Sequence, residues 1–244
     1  MPFSILAIFA HPDDEVTVGP LLARYARLGH RVRVVAVTAG QKGVRPHTSY
    51  AAGHELGAAR MEEFRRACAC LGIEPPIVLR FEDGEVAARG VIDQIIGELN
   101  GVVADLQPDV VITFGPEGAS GHTDHRIISS AVTELAQTPG CRVRKLYYVA
   151  YPAVHDPDAA GDLLRRAMLA RPVDTSLLTT TVDCREDLEA ADQAIGCHLT
   201  QWEPALMDSW SALNRTVLGG FVSLRLALSR VQVRAREDDI LEGL

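Results

Sequence analysis

The chain lacks several features that would assign it to a specialised class of protein. None of its five cysteines forms a C-x-x-C pair, and their odd number disfavours a disulfide framework, so free thiols in a reducing compartment are expected. No basic run is present, and the net charge of −8 argues against nucleic acid or an anionic membrane as a partner. The N-terminal apolar stretch is far shorter than the roughly 20 residues of a membrane span, and no basic segment precedes it. We therefore expect a cytoplasmic protein that binds neither nucleic acid nor membrane.

What the chain does contain is an ordinary globular composition, arranged as alternating strands and helices. Hydrophobic residues make up 47% of the 244 residues, enough for one large α/β domain. Neither an internal repeat nor a linker divides the chain, so residues 1–244 are expected to form a single domain. Strands are predicted over 4–10, 31–37, 77–81, 109–114, 145–151 and, as the last one, 177–182. Helices are predicted over 17–28, 54–71, 86–106, a segment ending near 137, 186–200 and 203–231.

The most informative stretch is Ala10–Glu15, where one imidazole and three carboxylates lie within five residues. It directly follows the apolar run Ile5–Phe9, a predicted buried strand of a parallel sheet, which Pro12 ends. Carboxylates are rarely placed at the edge of a core without a compensating partner, and no lysine or arginine lies nearby in the sequence. A metal ion would provide that compensation.

A second cluster of histidine and aspartate follows the predicted strand 109–114 through a glycine-rich loop. In a parallel sheet both clusters lie at the carboxyl edge, where a topological switch would bring them into one crevice. A catalytic divalent site usually has three histidine or carboxylate ligands and one open position. Either motif alone is weak evidence for a metal, but two such clusters after two parallel strands favour one. The predicted ligands are His11, Asp14 and His125.

The remaining polar side chains of the two clusters are predicted to carry out the chemistry. Asp13 is left beside the metal-activated water, where a carboxylate is a natural general base. His122, if protonated, could stabilise an oxyanion or donate a proton to a leaving amine. Asp124 could hold one of the imidazoles in orientation. Glu15 either supports a ligand from behind or favours the start of the following helix through its charge.

The loop 40–53 is a further candidate for contact with a substrate. It has three glycines, one proline and no apolar periodicity, and it follows a predicted strand. A loop of this length usually has a function, for example as a lid. Lys42, Arg45 and His47 could face a substrate, although solvated loop charges explain them equally well. The two tryptophans, Trp202 and Trp210, could line the site, with burial in the core the favoured interpretation.

These motifs together resemble the LmbE-like, PIG-L-type zinc de-N-acetylases. The first signature of that family, A-H-P-D-D-E, is intact at residues 10–15. The second, similar to G-x-x-G-H-P-D-H, occurs over 118–125 with Thr123 in place of proline. A pattern R-x-x-E-x-x-x-A-x-x-x-L-G begins at Arg60, and an element like H-x-S-Q, with threonine replacing serine, begins at His198. The resemblance therefore runs over nearly the full chain.

The resemblance implies a Rossmann-like three-layer sandwich with a mostly parallel sheet and an active site at the C-terminal edge of the strands. It implies one zinc ion per chain, although another divalent metal such as Fe²⁺ would fit the same ligands. The implied roles agree with those inferred from the residues: Asp13 is the base, and His122 stabilises the transition state or acts as an acid. The implied zinc ligands are again His11, Asp14 and His125.

Three other family positions, Arg60, Glu63 and His198, are candidates for substrate binding. Arg60 and Glu63 lie three residues apart on one face of a predicted helix, so an internal ion pair between them is an equally good interpretation.

The activity implied by the resemblance is hydrolysis of an N-acetyl group, commonly on an N-acetylglucosamine moiety, with release of acetate. The expected substrate is a small soluble conjugate, with a glucosaminyl precursor of a low-molecular-weight thiol as the leading candidate. A deacetylase of another amide or sugar natural product is one alternative. A metal-dependent phosphoester hydrolase, a catalytically silent metal- or sugar-binding protein and a purely structural ion site are others. The sequence is also compatible with a homo-oligomer.

Overall fold

A seven-stranded sheet forms the middle layer of the protein. The computed structural model describes residues 2–43, 48–153 and 171–244. The sheet has the order β3-β2-β1-β4-β5-β7-β6, in which β1 to β5 are parallel and β7 runs antiparallel to both β5 and β6. The strands are β1 (Ser4–Phe9), β2 (Arg31–Thr38), β3 (Ile77–Phe81), β4 (Val110–Phe114), β5 (Lys145–Val149), β6 (Thr180–Asp183) and β7 (Phe221–Ser229).

Helices cover both faces of the sheet and complete a three-layer sandwich. Each side chain of β1 after Ser4 is buried, and alternate residues enter different cores. One core joins Ile5, Ala7 and Phe9 to α1, α2, α5 and α6. The other joins Leu6 and Ile8 to α3 and α4. The helices are α1 (Gly19–Arg27), α2 (His54–Cys70), α3 (Val91–Leu106), α4 (Thr123–Gln137), α5 (Leu188–Ile195) and α6 (Pro204–Ala212). The predicted α/β fold with a mostly parallel sheet is confirmed.

The strand order places a topological switch at β1, which pairs with β2 on one side and β4 on the other. The chain leaves β1 toward α1 and leaves β4 toward α4, and these helices pack on different faces of the sheet. A crevice therefore opens between the carboxyl ends of β1 and β4, as the predicted topology requires. Both polar clusters of the sequence lie at this crevice.

The predicted helix over 203–231 is wrong in its second half. The helix α6 passes into a π-helical turn at Leu213–Val217, and Gly219 and Gly220 with positive φ then reverse the chain. The following residues form β7, whose backbone pairs with two neighbouring strands. Apolar runs of this length fit a helix or a strand equally well, so tertiary pairing decided between them. The strand predicted over 177–182 is β6, and it is not the last one.

Three helices differ from their predicted bounds. The helix α5 covers Leu188–Ile195 and is shorter than the predicted 186–200. A 3₁₀-helix, Asp14–Val18, precedes α1, so the α-helical backbone starts at Gly19. The helix α3 starts at Val91 because Gly90 adopts a left-handed conformation directly before it. Within the described ranges, no helix combines the length and the apolarity that crossing a bilayer requires.

A buried ion pair fastens the C-terminal segment to the sheet. Lys145 of β5 is fully buried, and its Nζ donates to Glu237 Oε1 at 2.5 Å and to the Ile240 carbonyl at 3.1 Å. The other carboxylate oxygen of Glu237 accepts hydrogen bonds from Tyr147 and Thr180, at 2.7 and 3.1 Å. The pair is therefore both charge-balanced and hydrogen-bonded, which a buried charge requires.

Candidate metal centre and active site

Three ligand atoms from the two polar clusters converge at the crevice. His125 Nε2 lies 3.2 Å from Asp14 Oδ1 and 3.3 Å from His11 Nδ1. His11 Nδ1 lies 3.6 Å from the other oxygen of Asp14. Nitrogen and oxygen ligands bound tetrahedrally to zinc at about 2.0–2.1 Å lie about 3.3 Å apart. The spacing of these atoms therefore fits a divalent ion held between them.

In both His125 and His11, the ring nitrogen that points away from this convergence faces a hydrogen-bond acceptor and carries the proton. The nitrogen at the convergence therefore keeps its lone pair. His125 Nδ1 lies 3.0 Å from the Gly118 carbonyl, which can only accept, so Nδ1 carries the proton. His11 Nε2 lies 3.1 Å from Asp83 and 3.3 Å from Asp124, so it too is the donor. Such partners fix the tautomer and the orientation of metal-binding histidines. The lone pairs of His125 Nε2 and His11 Nδ1 are thereby directed to the same point.

The local charges also suit a cation. Burial raises the pKa of Asp14, but the rings of His125 and His11 hold this pKa well below its usual range. Asp14 Oδ2 also accepts hydrogen bonds from the backbone N–H groups of Ala10 and His11 at 3.2 and 2.9 Å. Burial lowers the pKa of His11, yet the carboxylates of Asp124, Asp14 and Asp83 raise it well above 6.5. A proton attracted so strongly to His11 marks a position where a metal cation would also be stabilised.

The structure contains two other groupings of potential ligands around His11 within the described residues. His122 can replace Asp14 in a set with His11 and His125, and Asp83 and Asp124 form a set with His11. The first set uses the exposed His122, whereas Asp14 is buried and its Oδ1 lies 3.2 Å from His125 Nε2. The second set surrounds the protonated Nε2 of His11. Asp14 is therefore the best third ligand.

Asp13 stands beside this centre and is held by two donors. Its Oδ1 accepts from Arg60 Nη2 at 2.7 Å and its Oδ2 accepts from Trp202 Nε1 at 3.0 Å. Burial raises the pKa of Asp13, whereas the Arg60 guanidinium lowers it. The backbone of Asp13 has φ of 95°, which is uncommon for a residue other than glycine. Strained backbone of this kind is often found at functional sites, where surrounding contacts maintain it.

Glu15 and His198 maintain the conformation of Asp13 from behind. Glu15 is fully buried, and its Oε2 accepts the backbone N–H of Asp13 at 2.9 Å. Its Oε1 lies 2.5 Å from Nε2 of His198, which is also fully buried. Burial lowers the pKa of His198, but Glu15 raises it above its ordinary value. Glu15 therefore links the strained turn to the segment after α5.

His122 lies at the exposed mouth of the site and caps α4. Its Nδ1 accepts the backbone N–H of Asp124 at 3.2 Å, so the neutral ring carries its proton on Nε2. Partial burial lowers the pKa of His122, and the nearby rings of His11 and His125 lower it further. The ring centroids of His11 and His125 both lie 5.0 Å from that of His122. A neutral imidazole that donates from Nε2 is therefore the favoured form.

The convergent ligand residues, Asp13 and His122 line one cleft of about 300 Å³. The predicted residues that line it are His11, Asp13, Asp14, Arg60, His122 and His125. Lys42, Trp202 and Trp210, which the sequence left open as candidates, also line it. Asp83 lines it as well, although the sequence did not assign this residue to the site. Asp83 follows the carboxyl end of β3, which is the same signal that identified the other two loops. Trp202 gives no comparable signal, because only the tertiary structure brings it to Asp13.

Two of the candidate substrate-binding residues, Glu63 and His198, do not line this cleft. Glu63 accepts from the backbone N–H and the hydroxyl of Thr200, at 2.9 and 2.7 Å, and so anchors the segment after α5. His198 is buried against Glu15. Arg60 and Glu63 each take a different partner, so the internal ion pair between them is not formed. Arg45, like His47, lies outside the described residues.

The fold and the site define a class: an α/β protein with a candidate metal-binding cluster of histidines and carboxylates at the carboxyl edge of a mostly parallel sheet. Residues 6–136 match the PIG-L family, described as GlcNAc-PI de-N-acetylases, and the chain belongs to this family. The resemblance seen in the sequence motifs is therefore confirmed.

One relative is similar to the chain in sequence, and two solved structures are similar to it in fold. The chain is 30% identical to a 1D-myo-inositol 2-acetamido-2-deoxy-alpha-D-glucopyranoside deacetylase of Rhodococcus jostii, with 98% of each chain covered. The fold of the present chain is similar to that of N,N'-diacetylchitobiose deacetylase from Pyrococcus horikoshii, with a TM-score of 0.69 and 21% identity. The match covers 91% of the present chain and 82% of the other one. The fold is also similar to that of GalB, a 4-carboxy-2-hydroxymuconate hydratase of Pseudomonas putida, with a TM-score of 0.68, 21% identity and coverage of 96% and 99%. The fold alone therefore does not fix the reaction.

Proposed function

We propose that the protein is a metal-dependent hydrolase that removes the N-acetyl group from an N-acetylglucosamine conjugate and releases acetate. The observation that carries this proposal is the cleft itself, in which the Asp13 carboxylate and the His122 imidazole flank three convergent ligand atoms. We further propose that residues 1–244 act as one catalytic domain, since a single sheet takes strands from Ser4 to Ser229.

The proposed ligands of the metal are His11, Asp14 and His125. Zinc, one ion per chain, is the preferred metal because two imidazoles and one carboxylate form a common catalytic zinc set. The same set also suits Fe²⁺, so the donor atoms alone do not distinguish the two metals. When bound, such an ion supplies Lewis acidity, which lowers the pKa of a water molecule and polarises a carbonyl.

Asp13 is the proposed general base. It lies beside the ligand atoms without being one of them, and Arg60 and Trp202 fix both of its oxygens in the cleft. Each carboxylate oxygen keeps a second lone pair, so it can accept a proton from the attacking water while these donors remain bound. Because Arg60 also donates to the Pro12 and Gly40 carbonyls, we assign it to positioning Asp13.

His122 is the proposed donor to the developing oxyanion. A neutral ring with its proton on Nε2 can donate a hydrogen bond, and the hydrogen bond from Asp124 N–H to Nδ1 holds it in place. Donating the proton itself would leave an imidazolate, which is unfavourable. The proton on the leaving amine is therefore the one that Asp13 took from water, and Asp13 serves first as base and then as acid.

The proposed substrate is a small soluble conjugate, with a glucosaminyl-inositol precursor of a low-molecular-weight thiol as the leading candidate. The name of the Rhodococcus jostii relative supports it, because that protein acts on an N-acetylated glucosaminyl-inositol. The cleft also offers Lys42 and Asp83 beside the catalytic groups, and such charged side chains can bind sugar hydroxyls. A deacetylase acting on another N-acetylated sugar is the alternative.

The decisive experiment is a deacetylation screen with the purified, zinc-replete protein. N-acetylglucosaminyl-inositol, N,N'-diacetylchitobiose and free N-acetylglucosamine are compared, with free amine and acetate measured in parallel. We expect equal amounts of amine and acetate, and the highest kcat/KM with the inositol conjugate. Higher activity on chitobiose would retain the deacetylase and reject the leading substrate. Absence of amine with all three substrates would reject the proposed function.

A further inference from the structure

Two cysteines far apart in sequence meet outside the catalytic cleft. Cys70 is the last residue of α2, and Cys197 follows Gly196 at the end of α5, 127 positions later. Their sulfur atoms lie 3.8 Å apart, and both side chains are partly exposed. A disulfide requires the sulfurs to approach to about 2.05 Å, with the two Cα atoms about 4.4–6.8 Å apart. Because both residues lie at helix ends, a small shift of either segment would bring their sulfurs together.

We propose that Cys70 and Cys197 form a reactive dithiol site that takes a low-molecular-weight disulfide and closes reversibly to an internal disulfide. Neither thiol lines the catalytic cleft, so the inference does not depend on the proposed function.

The other cysteines are poor candidates for this reaction. Cys68 and Cys184 are fully buried, and burial raises the pKa of both thiols, that of Cys184 to about 12. Cys141 is partly exposed, but it packs in the core on the opposite face of the sheet from Cys70 and Cys197. Cys70 and Cys197 are therefore the two cysteines that can reach each other, whereas Cys141 is accessible but has no cysteine beside it.

The surroundings indicate which thiol reacts first. Cys70 forms part of the wall of a surface cleft of about 450 Å³ between α1 and α5, which gives a small disulfide direct access. Burial and, to a lesser extent, the adjacent Cys70 together raise the pKa of Cys197 to about 11. Because the thiolate is the nucleophile, Cys70 is the attacking residue and Cys197 the resolving one.

The two steps balance without any additional reagent. The Cys70 thiolate attacks the external disulfide, which forms a mixed disulfide and releases one external thiol. Cys197 then loses its proton to solvent and attacks the Cys70 sulfur, which releases the second external thiol. Two protein thiols are oxidised to one internal disulfide, and the external disulfide is reduced to two thiols.

The test uses the full-length protein and 2-hydroxyethyl disulfide as the probe, followed by acid quenching and mass spectrometry of the intact chain. We expect the wild-type chain to lose two hydrogen atoms in mass and to yield one cross-linked peptide pair that contains Cys70 and Cys197. Treatment with dithiothreitol should restore the reduced mass. The Cys70→Ser and Cys197→Ser variants should instead accumulate a mixed disulfide on the remaining cysteine of the pair. Cys141→Ser is the matched control and should form the cross-link at the wild-type rate.

Peptide mapping of the wild-type protein keeps the test valid even if a serine variant folds poorly. The proposal is overturned if the wild-type chain retains only mixed disulfides, if the cross-link involves Cys141, or if either serine variant still closes an internal disulfide.

Discussion

Replacing Asp13 by Asn should remove catalysis while leaving the metal in place. A positioned general base contributes about 10²–10⁴ in rate, so kcat should fall by that factor, which corresponds to roughly 3–5 kcal/mol in activation free energy. The metal should remain because the convergent atoms belong to His11, Asp14 and His125, and Asp13 supplies none of them.

The same substitution should leave the protein folded. An asparagine carbonyl can still accept one hydrogen bond, from Arg60 or from Trp202, so one of the two donors loses its acceptor. Leaving one donor unsatisfied costs about 1–3 kcal/mol, which is less than the roughly 5–15 kcal/mol stability of a typical domain.

The assay measures free amine over time with N-acetylglucosaminyl-inositol and bound metal by elemental analysis of the same preparation. Asp238→Asn is the control, because Asp238 is an exposed carboxylate that pairs with Arg234 away from the cleft. A kcat within tenfold of the wild-type value would refute the assignment of Asp13 as base. Loss of the bound metal would show instead that Asp13 is a ligand.

Three further predictions concern the metal, the core and the pH dependence of stability. His125→Ala should deplete bound metal and activity together, and a chelator should abolish wild-type activity until zinc is restored; a fully active, metal-free variant would contradict the proposed centre. Lys145→Met should lower the free energy of unfolding in urea by about 3 kcal/mol, because Glu237 is left as a buried charge without its cation; a loss below about 1 kcal/mol would contradict this. Glu15 raises the pKa of His198 in the folded state, so this contribution to stability is complete below the unfolded pKa of about 6.5 and is lost as pH rises through the folded pKa. Between pH 6 and 9, the free energy of unfolding of the wild type should therefore fall more steeply than that of His198→Gln. Urea unfolding at several pH values measures both, and parallel pH dependences would refute this role of His198.

The class of fold was predictable because strand and helix periodicity is local. The parallel core followed from buried apolar runs such as Ile5–Phe9, with short crossovers between them. The C-terminal third was less predictable, since residues 221–229 form β7 only through pairing with β5 and β6. An apolar segment has no local property that reports a partner strand more than 70 residues earlier.

The convergence of His11, Asp14 and His125 was predictable for a different reason. His11 and Asp14 follow β1, and His125 follows β4. Because the carboxyl ends of parallel strands lie at the same edge of a sheet, these residues were expected to meet there. The contacts of Asp13 with Arg60 and Trp202 join segments 47 and 189 positions apart. Side-chain contacts over such separations depend on packing, and the motif spacing carries no information about them.

The sequence by itself determined which residues could bind a metal and act as a base, because those properties belong to the side chains. Only the tertiary structure decided how Asp13 is held, with Glu15 on its backbone and Arg60 and Trp202 on its carboxylate. It also decided that Glu63 and His198 hold the segment after α5, and that Nδ1 of His122 accepts the backbone N–H of Asp124. Hydrogen-bond partners and tautomers depend on distances of a few tenths of an ångström, which only the packed molecule defines.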